Sequence, residues 1–124
     1  MVNFGAPDTV PDKFQDRTLY RHNPSVTLMR TTPEESAELG RQIAEKLSAA
    51  TGPTTLFLPL KGVSMIAVEG QPFYDADADA ALFGAIRENL ADSVDLVEMD
   101  CDINDPAFAM AMAHTLDGYL KGTR

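Results

Sequence analysis

Apolar and polar positions switch between a strand-like and a helix-like period along this chain, and the switches predict its elements. Val26 to Arg30 (V-T-L-M-R) is β-branched and apolar enough for a buried strand, and it runs directly into Thr31-Thr32-Pro33-Glu34-Glu35. That run predicts a helix start: Thr32 can cap, Pro33 fits the first helical position, and Glu35 stands three residues after Thr32 as a capping box requires. Leu39, Ile43 and Leu47 recur at fourfold spacing, which predicts a helix to about Ala49 with these side chains facing the core, stopped by Thr51-Gly52-Pro53. Thr54 to Leu60 reads as a second buried strand, closed by Pro59 and Lys61-Gly62. After an irregular stretch from Val63 to Tyr74, Asp75 caps a helix to about Ala91 with Ala78, Leu82, Ile86 and Leu90 inward, and Asp77 and Asp79 suit its positive start. Asp95 to Met99 is the third strand. Asp105-Pro106 opens a last helix to about Leu120, with Phe108, Ala111, Met112, Thr115 and Leu116 inward.

The order β-α-β-α-β-α predicts parallel strands, because each crossover contains a helix, and right-handed connections. The fold class is therefore α/β: a three-layer, mostly parallel sheet of three or four strands, a Rossmann-like half domain. Three parallel strands are few for such a sheet, so either Met1 to Phe4 adds a fourth or the chain is part of a larger protein or dimer. Residues 1–124 read as one domain, with Gly5 to Ser25, which holds three prolines, as a long loop or arm.

Composition narrows the function classes. A chain of 124 residues with 44% hydrophobic and 23% charged residues has the make-up of one ordinary globular domain with a packed core. Its longest apolar runs, Thr55 to Leu60 and Val63 to Val68, are too short for a membrane span, and no basic region followed by an apolar run opens the chain, so the expected address is the cytoplasm. A net charge of −9 argues against nucleic acid and anionic membranes as partners. The charge is uneven: residues 1–61 hold seven acids and seven bases, whereas residues 62–124 hold twelve acids against Arg87, Lys121 and Arg124. Cys101 is the single cysteine, which excludes an intramolecular disulfide and a multi-cysteine zinc site and reads as a small buried apolar residue.

Ligands of open parallel sheets bind beyond the carboxyl ends of the strands, so the residues just after each strand are the informative ones. Asn3-Phe4-Gly5, Arg30-Thr31-Thr32, Lys61-Gly62-Val63-Ser64 and Asp100-Cys101-Asp102-Ile103-Asn104-Asp105 are expected to meet there, beside helix starts that favour an anion. Lys61-Gly62-Val63-Ser64 joins a cation, a close-approach glycine and a hydroxyl, but neither G-x-x-x-x-G-K-[ST] nor G-x-G-x-x-G is present. Ser64 lacks the second glycine of a nucleophile elbow, Ile66 standing there. Asp100 and Asp102 are candidate ligands for Mg²⁺ or another hard cation, although the calcium-loop pattern fails and Asn104 and Asp105 have an ordinary capping role. Lys13, Arg17, Arg21, His22 and Arg30 form a basic cluster suited to an acidic ligand or to the chain's own acidic half. His22 is a candidate acid or base; His114 reads as packing.

The runs Val2-Asn3-Phe4-Gly5, Arg21-His22-Asn23-Pro24, Leu28-Met29-Arg30-Thr31-Thr32, Leu58-Pro59-Leu60-Lys61-Gly62-Val63-Ser64, Pro72-Phe73-Tyr74-Asp75 and Ile103-Asn104-Asp105-Pro106 followed by Phe108-Ala109 resemble the C-terminal part of the Tm-one-like ATP-binding protein family. The resemblance covers essentially the whole chain. It implies a second α/β subdomain of a protein about three times this long, with ATP as a possible ligand and self-association, or union with the first subdomain, as the expected assembly. Three readings follow. In the first, Arg30, Thr31, Lys61, Gly62, Val63, Ser64 and Asn104 bind a nucleotide, phosphate or carboxylate. In the second, the chain is an enzyme in which His22 or Asp102 acts on a small organic acid with a metal on the acidic loop. In the third, it is an interaction module that pairs through the arm from Gly5 to Ser25.

Overall fold

The computed structural model describes residues 1–122, which divide into two compact units, Met1–Thr32 and the chain from Pro33 onward. The first unit is a three-stranded antiparallel sheet in the order β1-β3-β2, with β1 at Val2–Phe4, β2 at Leu19–Asn23 and β3 at Val26–Met29. Two short 3-10 turns, Pro7–Thr9 and Asp12–Phe14, join β1 to β2. Val10, Thr27 and Met29 are buried. Phe14 stacks against Phe4 at 5.9 Å between ring centres, with Lys13 and Arg17 over its ring. Part of the basic cluster is therefore spent on an aromatic face and on the backbone: Arg17 also donates to the carbonyl of Arg30 at 2.9 Å.

This unit corrects the single, mostly parallel sheet. Met1 to Phe4 does contribute a strand, but β3 pairs antiparallel on both sides. The reason is local. Asn23-Pro24-Ser25 folds β2 straight back onto β3, with the Asn23 side chain accepting the Ser25 N–H at 2.8 Å, and so short a connection can only join antiparallel strands. β2 lies inside the stretch expected to be irregular.

The second unit carries α1 (Pro33–Ser48), β4 (Thr55–Pro59), α2 (Ala76–Asn89), β5 (Asp95–Met99) and α3 (Pro106–Lys121). Here the expected parallel pairing is present: β4 and β5 run parallel from Thr55↔Asp95 to Pro59↔Met99, with α2 as the crossover. The strand period sorts β4 cleanly. Leu56 and Leu58 join Phe83 and Ile86 of α2, with Leu82, Val63 and Leu96, in one apolar cluster. Phe57, on the other face, meets Phe108 of α3 edge-on at 6.2 Å, and Thr55 hydrogen-bonds the Tyr119 hydroxyl.

The starts of α2 and α3 follow the residues expected of them. Asp75 accepts the Ala78 N–H at 2.9 Å and Asp105 the Ala107 N–H at 2.8 Å, with Pro106 opening α3 and Gly122 closing it at φ 67°. The inward face of α1 differs from the expected stripe. Ser36, Gly40 and Ala44 are buried, whereas Leu39 and Ile43 are exposed. A Cβ at Gly40 would lie 2.5 Å from the Leu82 carbonyl oxygen, so α1 and α2 approach too closely for large side chains between them. In α3 only Phe108 is buried; Met112, Leu116 and His114, expected to pack, are exposed. No helix among the described residues is long and apolar enough to cross a membrane.

Candidate functional site

The parallel register of β4 and β5 carries two loops to one rim. Beyond the strands, the Leu60 N–H donates to Met99 O at 2.9 Å, the Lys61 N–H to Cys101 O at 3.0 Å, and the Ile103 N–H to Gly62 O at 2.9 Å, so Lys61-Gly62 and Asp100 to Ile103 are zipped together. Gly62 is needed there: its φ is +154°, and a Cβ would sit 2.6 Å from Val68 Cγ1. Val63 turns inward onto the apolar cluster, and the Ser64 carbonyl accepts the Ala67 N–H at 2.9 Å.

Lys61 Nζ lies 2.9 Å from Asp100 Oδ2, and this bond with the adjacent carboxylate holds the ammonium pKa above its ordinary value. Lys61 thus presents its charge beside Asp100 at the rim. Cys101 is half-buried, and desolvation, followed by Asp105, Asp102 and Asp100, raises its thiol pKa, which opposes thiolate chemistry. Asp102 Oδ1 accepts the Asn104 N–H at 2.8 Å. Among the described residues no three His, Cys, Asp or Glu side chains are gathered for a metal.

A groove of about 560 Å³ opens beside this rim. Leu60, Lys61 and Asp102 form one wall, Val68, Glu69 and Tyr74 another, and one face of α2 (Ala76, Asp79, Ala80, Phe83 and Arg87) the floor. Arg87 is anchored by Glu98 of β5, its Nε donating at 2.8 Å, and Asp79 is 7% exposed. The groove offers two cations, three carboxylates, a tyrosine and the apolar side chains of Leu60, Val68 and Phe83.

Of the residues expected at the site, Lys61, Gly62, Val63, Ser64, Asp100, Asp102 and Asn104 share the loop pair or its immediate continuation. Arg30 and Thr31 follow β3 in the first unit, on a different sheet, so the pairing that joins Lys61 to Asp102 does not extend to them. The antiparallel register also sets Asn3-Phe4-Gly5 and Arg30-Thr31 at opposite ends of that sheet. His22 is exposed where the β2–β3 register shifts. Sequence reasoning missed Tyr74, Asp79 and Arg87; the α2 residues share one helix face, with Asp79, Ala80, Phe83 and Arg87 three, four, seven and eleven residues on from Ala76.

Residues 1–120 match the model of the C-terminal domain of an uncharacterised protein family, UPF0261. The chain belongs to the UPF0261 family. It is 54% identical over 117 residues to a UPF0261 protein of Clostridium tetani, covering 94% of this chain and 29% of that protein. A UPF0261 protein of Rhizobium meliloti is 51% identical over 113 residues, covering 90% of this chain and 28% of that protein. The tomato mosaic virus resistance protein Tm-1 of Solanum lycopersicum is 37% identical over 123 residues, covering 98% of this chain and 16% of its own length. The chain therefore spans less than a third of the UPF0261 proteins it matches, and the Tm-1 likeness bears out the family resemblance read from the motifs.

Proposed function

We propose that this UPF0261 domain binds a small ligand bearing phosphate or carboxylate, such as a nucleotide, in the groove beside the β4–β5 rim. The observation that carries the reading is the parallel register that puts the Lys61-Gly62 turn beside Asp102 and Asn104 at the mouth of a groove reaching Arg87. Lys61 and Arg87 supply the charge for the anionic group. Asp79 and Asp102 accept from hydroxyl or amine groups of the same ligand, and Tyr74 and Phe83 offer an apolar surface to the rest. With α2 on one face of β4–β5 and α3 reaching the other, the reading treats this unit as part of a Rossmann-like, three-layer arrangement, in which strand ends are the ligand edge.

Calorimetric titration with ATP and Mg²⁺, ATP alone, inorganic phosphate and a small dicarboxylate tests it. Saturable binding of at least one of these, weakened roughly tenfold or more in Lys61→Ala and Arg87→Ala, is expected for loss of a charge-assisted hydrogen bond. The arm with Mg²⁺ shows whether a metal assists. Equal binding by wild type, Lys61→Ala and Arg87→Ala removes the groove from the account.

A further inference from the structure

We propose that the face made by α3 and the outer side of β4 is the surface on which the preceding region of the longer UPF0261 polypeptide docks. α3 is an unusual surface helix. It carries no Asp, Glu, Lys or Arg from Pro106 to Leu116, and its charged pair, Asp117 and Lys121, is satisfied internally at 2.7 Å. Only Phe108 is buried, while Leu116 is 58% and Leu120 80% exposed. Met112, Leu116 and Leu120 stand at fourfold spacing, a continuous apolar ridge of the kind one element packs into another. Beside it, Phe57, Ile103 and Pro53 complete a largely apolar groove of about 540 Å³.

The sheet beneath is equally incomplete. Its ladder runs from the Asp95 N–H on Thr54 O to the Leu60 N–H on Met99 O, so the backbone groups of Thr55 and Phe57 point to the opposite edge of β4. That edge takes no strand among the described residues. Parallel strands are a buried structure, and an apolar face of this extent marks an interface.

The extent of the family's chain chooses the occupant. The matched region is the family's C-terminal domain and makes up 28–29% of the bacterial relatives, so their additional chain precedes it and is long enough to cover this face.

The test replaces the matched region of the full-length Clostridium tetani protein with this chain and compares the product with the isolated chain by hydroxyl-radical footprinting, normalised to added free methionine. Oxidation of Met112 and Leu116 slowed several-fold in the full-length form, and a lower melting temperature for Leu116→Asp there but not in the isolated chain, are the expected results. Equal oxidation in both forms overturns the proposal. So does protection in the isolated chain that grows with its concentration, which assigns the face to a second copy.

Discussion

Gly62 and Cys101 lie on the two zipped loops of the rim, and each is constrained by its neighbours. Gly62→Ala drives a methyl group into Val68 from a backbone angle that disfavours any side chain, so it is expected to cost about 1–3 kcal/mol. Urea unfolding measures this, and a loss below about 0.5 kcal/mol, the ordinary surface range, contradicts it. For Cys101, desolvation and the flanking carboxylates keep the thiol protonated. Its labelling by a thiol reagent is expected to rise with pH only above the range where a free cysteine reacts, and Asp105→Asn to move that rise to lower pH. Because the folded pKa exceeds the unfolded one, the stability linked to this thiol is complete below the unfolded-chain pKa and declines as pH rises through the folded value. Labelling that follows a free thiol overturns the assignment.

At the scale of elements, the approach of α1 to α2 makes a paired prediction. Gly40→Ala places a methyl 2.5 Å from the Leu82 carbonyl oxygen and 2.9 Å from Ala85 Cβ, and is expected to destabilise by about 1–3 kcal/mol although alanine is the better helix former. Gly84→Ala, with nothing within 4 Å of the new methyl, is expected to stabilise by up to about 1 kcal/mol. Phe83→Ala, in the β4–α2 core, is expected to cost about 3–5 kcal/mol. Thermal melts of the three variants rank them, and Gly40→Ala as stable as Gly84→Ala would place the helices farther apart than described. These contacts also show what the pattern of residues conveys. Asp75 and Asp105-Pro106 announce their helices because capping is local chemistry. The face of α1 escapes the same reading because periodicity weights Leu39 and Ile43, while close packing selects Ser36, Gly40 and Ala44, one position along. β2 escapes because Arg21, His22 and Asn23 are exposed and lend the strand no apolar alternation. Arg87 escapes the site because its role depends on which strand lies beside the end of α2.

At the scale of the whole molecule, the described residues form two separate sheets, one antiparallel and one parallel. β4-α2-β5 is a parallel unit whose strand ends converge, as the helix crossover requires, whereas the local hairpin removes β3 from that sheet. Lys61 and Arg87 line the same groove, together with Glu69, Asp79 and Asp102. In the proposed reading an anionic group there pairs with Lys61 and Arg87. The measurement closest to this claim is an amide NMR titration of the isotopically labelled chain with ATP and Mg²⁺ and, separately, with inorganic phosphate. Saturable shifts concentrated on Lys61 to Ser64, Asp100 to Asn104 and the Arg87 side chain are predicted for at least one ligand. Shifts confined to other surfaces, or none at millimolar ligand, contradict it.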